Sequence, residues 1–186
     1  NHYLSENEIH ALQELCTLYC DDITTKDNEY EGLRIKEWVR GYSCLSYLVS
    51  KCEDSIHGKI YSKAKLITLL VKGGIVESKA EKFLKLITFG LKSRDFFDMP
   101  LLLLNDGKYY LFHAVLSGLS ISSVVSSVFS QLEIEVKTKG KRFEESILKR
   151  LQKKNIEARS FKFKRGTDEY EYDVVFILDQ RVFVVE

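Results

Sequence analysis

Apolar residues recur at helical spacing through the first part of the chain. Ser5 and Glu8 form a capping-box pattern, and apolar positions then follow at intervals of three and four residues to about Cys20. A second run with the same spacing covers residues 35–49 and is interrupted by Gly41. These patterns predict two amphipathic helices, which we interpret as scaffold.

The next stretch combines two shorter helical patterns with a hairpin signal. A third helix is predicted from Ser62 to Leu70, and a fourth follows Gly73-Gly74 with Ser78 as its N-cap. Two apolar runs then flank the segment 105–108, whose Asp-Gly pair is typical of a β-hairpin turn. The order of these elements resembles a winged helix-turn-helix over about residues 58–113.

That resemblance implies a surface for nucleic acid on the second helix of the pair. Lys79, Lys82 and Lys85 are expected along one side of this helix. Winged helices also serve as protein-contact or packing modules, and lysines also form ordinary solvated faces. The sequence leaves both alternatives open.

A strongly amphipathic pattern follows Gly140. At 100° per residue, the apolar residues of segment 141–154 fall on one side of a helix that is expected to face a sheet. Glu144 lies within this apolar stripe, whereas Glu145 points elsewhere and precedes Lys149 by four residues. A carboxylate on a buried face needs a partner. The alternative is a position at the rim, where Glu144 reaches a backbone donor or a lysine.

The last 27 residues have the pattern of three strands. Residues 160–164 alternate with period two, and a polar loop is expected at 165–169. Residues 172–178 and 182–185 are near-continuous β-branched and aromatic runs, which predict two adjacent strands buried on both faces. A turn of even length centred on Asp179-Gln180 makes Val174 face Val185.

The same register makes Asp173 face Glu186 across the ladder. Like charges at directly opposed positions are destabilising, and a hard divalent cation such as Mg²⁺ or Mn²⁺ removes that repulsion. Glu144 from the helix could supply a third carboxylate. A loop of odd length would instead place the two acids on opposite faces. In the other alternative, Asp173 and Glu186 merely begin and end buried strands near solvent.

Composition and charge place the chemistry in the C-terminal part. The chain has 186 residues, with 28 basic and 27 acidic ones, so its net charge of +1 indicates no partner. The charges are unevenly distributed, since residues 137–165 contain twelve Lys and Arg but three acids. Residues 1–135 are therefore interpreted as a helical scaffold with the winged-helix-like segment, and residues 136–186 as a second domain.

Other features of the composition indicate the cellular compartment. The four cysteines include no CxxC pair and are expected to be buried free thiols in a reducing compartment. The chain has neither a membrane-length apolar run nor a signal-peptide pattern, so we expect a cytoplasmic protein without membrane contact. Because it begins without methionine and stops within a strand pattern, we expect a fragment.

Residues 140–186 resemble the PD-(D/E)xK phosphodiesterase superfamily, which has the restriction-endonuclease-like fold. Glu144 in Phe-Glu matches the helix acid, Asp173 in Glu-Tyr-Asp-Val-Val matches the metal-binding aspartate, and Glu186 matches the acid of the ExK half-motif. Tyr precedes Asp173 where the family often has Pro, and the valine-rich hairpin is similar to the resolvase-like and NERD-like branch. The family's lysine belongs two residues after Glu186, beyond this sequence.

The resemblance implies an α+β protein whose last part is an incomplete αβββ nuclease core. Asp173 and Glu186 would hold one or two Mg²⁺ or Mn²⁺ ions, with Glu144 assisting directly or through water. The substrate would be nucleic acid, with DNA favoured over RNA, and the chain is expected to fold but to cleave poorly. The alternative is an inactive nucleic-acid-binding or protein-interaction module. The expected phosphate-backbone contacts are Lys141, Arg142, Lys162, Lys164 and Arg165.

Overall fold

The structure is a computed structural model that describes residues 4–19, 28–52, 57–91, 93–134 and 139–185, with the backbone alone for 139–143. The protein has α+β structure and divides into two compact units. The first contains Asn1–Cys16 and Asp21–Glu135, and the second contains Thr17–Cys20 and Val136–Glu186. No helix among the described residues is both long and apolar enough to cross a membrane.

Helices dominate the described chain before residue 135. In order, the elements are α1 (Glu6–Tyr19), β1 (Glu29–Tyr30), β2 (Leu33–Arg34), α2 (Ile35–Ser50), β3 (Lys59–Tyr61), α3 (Lys63–Lys72), α4 (Glu77–Leu86), β4 (Leu101–Leu103), β5 (Tyr109–Leu111), α5 (His113–Leu116) and α6 (Ile121–Gln131). The predicted capping box of α1 is confirmed. The Ser5 amide donates to Glu8 at 2.7 Å, and the Glu8 amide donates to the Ser5 hydroxyl at 3.3 Å.

The core of the first unit forms where α2 meets α4 and α6. Trp38, Tyr42, Phe83 and Phe129 have essentially no exposed surface, and their rings pack edge to face at centroid distances of 5.3 to 5.8 Å. Gly41 of α2 lies directly against the Phe83 ring. The glycine that interrupts the helical pattern is thus a site of close packing.

The helix pair and hairpin predicted from the sequence are both present. The Ser62 hydroxyl caps α3 by accepting from the Lys65 amide at 3.2 Å, and Gly74 adopts the positive φ that the turn into α4 requires. The prediction of Ser78 as N-cap is wrong, because α4 begins at Glu77 and its N-cap is Val76, two residues before Ser78. The hairpin gains a strand that the sequence pattern did not predict, since β3 pairs with β5 in the order β3-β5-β4.

The second unit consists of one helix and a three-stranded antiparallel sheet. Its elements are α7 (Lys139–Lys153), β6 (Ala158–Arg165), β7 (Asp168–Leu178) and β8 (Arg181–Val185), with strand order β6-β7-β8. The prediction of a polar loop at residues 165–169 is wrong. Strand β7 starts at Asp168, and only Gly166 and Thr167 form the turn.

The β6–β7 ladder contains a register shift that changes which side chains share a face. Arg159 pairs with Val175 but Phe161 pairs with Tyr172, so Asp173 and Val174 together lie opposite Ser160. Continuous alternation would place the tyrosines of β7 on the same face as Val174. The shift moves them to the opposite face instead.

The two faces of this sheet therefore differ in character. The helix-side face carries buried Ala158 and Val174, and α7 packs against it. The outer face carries an aromatic group whose neighbouring ring centroids are 5.1 to 6.4 Å apart. Its members are Phe161, Phe163, Tyr170 and Tyr172.

The predicted burial of the last two strands on both faces is wrong for the described residues. Val182 is 65% exposed and Ile177 is 62% exposed, and every residue of β8 is exposed. The apolar composition of these strands indicates their extended conformation correctly. The amino-acid composition of a strand does not determine which other elements pack on each face of its sheet.

Candidate metal and nucleic-acid site

The turn between β7 and β8 has the even length on which the site prediction depends. Asp179 and Gln180 have φ values of 48° and 61°, as in the two-residue turns that suit twisted hairpins. Leu178 pairs with Arg181, and Val174 pairs with Val185, which confirms the predicted register for these residues. Glu186 lies outside the described residues.

Asp173 lies at the register shift, one residue before fully buried Val174. Its side chain is half-buried, whereas Asp168 at the start of the same strand is exposed. β-bulges redirect individual side chains and occur often beside active sites. The strand thus contains two aspartates in different environments.

Glu144 lies in the first half of α7 and is half-buried. Glu145 is exposed, as the helical pattern predicted. The Glu144 carboxylate is near enough to Lys162 of β6 for its charge to contribute to the raised pKa of that lysine. This proximity places Glu144 toward the sheet and leaves open its rim position beside a lysine.

The lysines of β6 are paired with glutamates of β7. Lys162 Nζ lies 2.5 Å from Glu171 Oε1, and Lys164 Nζ lies 4.0 Å from Glu169 Oε2. The hydrogen bond to Glu171 is the main reason that the pKa of Lys162 is raised. These glutamates are not among the predicted site residues, although the alternating Lys-x-Lys and Glu-x-Glu patterns of two antiparallel strands could have indicated them.

The structure describes the remaining expected basic residues to different extents. Arg165 is exposed at the end of β6 and pairs with Asp168 in the ladder. Lys141 and Arg142 lie on α7, but their side chains are outside the described part of the structure. The basic surround is therefore partly balanced by acids.

The described residues contain no group of three or more His, Cys, Asp or Glu side chains that could hold a metal ion. Glu144 and Asp173 are the described members of the predicted set. The third member, Glu186, is not described, so the complete carboxylate set stays a prediction.

The three lysines expected to contact nucleic acid on α4 differ in exposure and in pairing. Lys79 Nζ lies 2.7 Å from both Glu29 and Glu37, and its side chain is 22% exposed. Burial alone would lower the pKa of Lys79, but hydrogen bonds to the two glutamates outweigh it and raise that pKa. A phosphate contact by Lys79 is not favoured, because Lys79 already bridges two carboxylates, whereas Lys82 and Lys85 are exposed.

The described cysteines carry free thiols, as expected, but they are half-buried rather than buried. They are Cys16, Cys44 and Cys52. Burial raises the pKa of the Cys44 thiol to about 11, so this group stays protonated at neutral pH. The low thiolate content makes Cys44 a poor metal ligand or nucleophile.

Compared with protein-family models, with curated proteins and with solved structures, the chain shows no significant match. Its function is therefore inferred from the residues and geometry of this chain.

Proposed function

We propose that the protein is a metal-dependent phosphodiesterase of the PD-(D/E)xK type that acts on DNA. The observation that carries the proposal is the register of the β7–β8 hairpin, in which Val174 pairs with Val185. If the hairpin continues this register by one step, position 173 would lie opposite position 186, and both are acids in the sequence. Two opposed carboxylates favour a hard divalent cation between them.

The residues of the second unit have distinct roles in this proposal. Asp173 and Glu186 would hold Mg²⁺ or Mn²⁺, and the cation would supply acidification of the attacking water and neutralisation of charge on the phosphate. Glu144 would assist directly or through water, and the nearby Lys162 would hold the DNA backbone after exchanging Glu171 for a phosphate oxygen. The half-buried positions of Asp173 and Glu144 support these roles.

The proposal is tested with the intact chain by titrating Mn²⁺ while measuring thermal unfolding and calorimetric binding. Mn²⁺ is expected to raise the unfolding temperature, because it binds the folded carboxylate site better than the unfolded chain. Glu144→Gln is expected to weaken Mn²⁺ binding by roughly tenfold to a hundredfold, the range for groups that orient metal ligands. The exposed neighbour supplies the matched control, Glu145→Gln, which should bind as the native chain does.

Two results would oppose the metal site. One is the absence of saturable Mn²⁺ binding, and the other is equal weakening by the Glu144→Gln and Glu145→Gln substitutions. Because the chain is expected to cleave poorly, binding is the primary measurement. Cleavage of plasmid DNA in Mn²⁺ is the secondary one.

A second candidate function is nucleic-acid binding by the winged-helix-like segment. The specific observation in its favour is β3, which completes a three-stranded sheet with the hairpin that follows α3 and α4. Against it, Glu81 of α4 pairs with Lys63, and Asp106 in the hairpin turn pairs with Lys108. This mixed charge suits a protein contact at least as well as a phosphate backbone.

Charge reversal distinguishes the two candidate surfaces. We expect DNA affinity to fall steeply with salt and to vary little with sequence, because the protein contacts phosphates. Lys162→Glu with Lys164→Glu should weaken binding and reduce the salt slope by about 0.9 for each phosphate that is no longer neutralised. Fluorescence anisotropy with a labelled duplex at several salt concentrations measures both quantities.

The matched comparison is Lys82→Glu with Lys85→Glu on α4. A larger decrease in affinity from these changes assigns binding to the winged-helix-like segment. An affinity that is independent of salt, or unchanged by both double substitutions, contradicts backbone binding by either surface.

A further inference from the structure

The aromatic group on the outer face of the β6–β7 ladder is open to solvent. Phe161, Phe163 and Tyr170 are 47%, 39% and 42% exposed, and Tyr172 is half-buried. The Phe163 ring lies 5.1 Å from the Tyr170 ring, with 14° between their planes, and 5.8 Å from the Tyr172 ring, with 24° between the planes. Three of the four rings are therefore nearly parallel.

Arginines flank this aromatic group on the same face. Side chains alternate along β6, so Arg159 and Arg165 lie on the face of Phe161 and Phe163. The two arginines are roughly 20 Å apart along the strand. Arg159 Nη2 lies 2.6 Å from Glu157 Oε1, but both side chains are 78% exposed, and ion pairs of this kind contribute little. A stronger anionic partner can therefore replace Glu157.

A pocket adjoins the aromatic group at the register shift of the sheet. Arg159 and Phe161, which lie on the two sides of the shift, line this pocket together with Val175 and Ile177. Its volume of about 450 Å³ is within the range of small-ligand pockets. An aromatic ring, aliphatic side chains and a guanidinium group together suit a flat ring that is attached to an anionic group.

We propose that this face binds single-stranded nucleic acid, with bases stacked on the aromatic group and phosphates bound by Arg159 and Arg165. Exposed aromatic rings beside cationic side chains form platforms for single strands, because every base has a face that can stack. Asp168 lies opposite Arg165 in the ladder and offsets part of its charge, but an arginine binds a phosphate at two points. A protein partner would need only apolar side chains, without parallel rings or flanking arginines.

This surface is separate from the lysines that are proposed to hold a DNA backbone. Lys162 and Lys164 alternate with the phenylalanines of β6 and therefore lie on the helix-side face. Stacking on the aromatic group also requires no metal ion. The test is made in metal-free buffer, so that this proposal and the metal site can fail independently.

The first test uses the native chain and two single-stranded oligonucleotides of about ten nucleotides, a length within the range that such platforms bind. One is oligothymidylate, and the other has the same number of phosphates on abasic sugars. Fluorescence anisotropy should show at least about fivefold tighter binding of the thymidine strand, because each stacked base contributes about fivefold to 150-fold. Equal affinities would overturn the proposal, since the phosphates alone would then account for binding.

Leucine substitutions separate stacking from apolar contact. Phe163→Leu with Tyr170→Leu keeps an apolar surface but removes two ring faces, and should weaken binding of the thymidine strand by about fivefold or more. Phe183→Leu is the matched control, because Phe183 is 40% exposed but lies on the helix-side face, opposite Phe176. A leucine double variant that binds as the native chain does, or equal weakening by the control, would overturn the proposal and favour a protein partner for this face.

A tryptophan substitution tests the same surface without removing its aromatic character. Phe163→Trp should retain the affinity, and its emission should be quenched by the thymidine strand. The natural Trp38 is fully buried in the first unit, so the change in emission reports on position 163. Emission that does not respond to a saturating concentration of the strand would overturn stacking at this position.

Salt dependence tests the arginines. Arg165→Gln should reduce the salt slope by about 0.7, the value for one phosphate contact with a single strand. Arg150→Gln is the control, because Arg150 is exposed on α7 rather than on the outer face of the sheet. A slope that Arg165→Gln leaves unchanged, or that both substitutions reduce equally, would overturn the assigned phosphate contact.

Discussion

Asp173→Asn is expected to weaken the stabilisation of the protein by Mn²⁺ while leaving the metal-free fold intact. Asparagine keeps the size of the side chain but removes the negative charge that binds the cation. At a metal concentration of 100 times the dissociation constant, a site present only in the folded state contributes about 2.7 kcal/mol to the free energy of unfolding. Thermal unfolding with and without Mn²⁺ measures this contribution directly.

The chain contains a matched control for this substitution on the same strand. Asp168 begins β7, is exposed, and lies near the opposite end of the strand from the β7–β8 turn. Asp168→Asn should retain the full response to Mn²⁺. If the two variants respond alike, general charge attraction accounts for metal binding and the assigned role of Asp173 is wrong.

In the first unit, Gly41→Ala is expected to destabilise the fold by roughly 2 to 3 kcal/mol, the upper part of the range for overpacking a core. A Cβ atom at this position would lie 2.6 and 2.7 Å from two carbons of the Phe83 ring. That ring is fully buried and packs against Trp38 and Tyr42, so it has little freedom to move. The clash outweighs the gain in helix propensity, which is about 1 kcal/mol.

Chemical denaturation of the variants measures this effect. Gly118→Ala is the control, because a Cβ atom there meets nothing within 4 Å. Combining Gly41→Ala with Phe83→Leu should recover part of the stability, since the smaller side chain yields space. A Gly41→Ala protein as stable as the native one would contradict the packing of α2 against α4.

Local sequence predicted those elements whose signals lie within a few residues. The Ser5–Glu8 capping box, the Asp-Gly hairpin and the two-residue turn at Asp179-Gln180 are all encoded by neighbouring residues. The short strand β3 had no such signal. It pairs with β5 some 50 residues later, and three residues are too few to establish a period.

The candidate site was predicted in a similarly uneven way. Helical periodicity placed Glu144 within the apolar stripe and Glu145 outside it, and in the structure Glu144 is half-buried and Glu145 is exposed. Asp173 was predicted in a strand buried on both faces, whereas the structure leaves it half-buried. The ion pairs of Lys79 with Glu29 and Glu37 could not be predicted, because only the tertiary fold brings β1 and α2 next to α4. A list of basic residues therefore overestimates the number available to a phosphate.

The sequence by itself determined the α+β character, the presence of three strands in the second unit and the β7–β8 register, because alternation and turn chemistry are local properties. Tertiary structure alone decided which faces are buried. The register shift at Asp173 moves the tyrosines of β7 to the outer face, and α7 covers only the face of Ala158 and Val174. The physical reason is that burial depends on distant elements, whereas the period of a strand depends only on its own backbone.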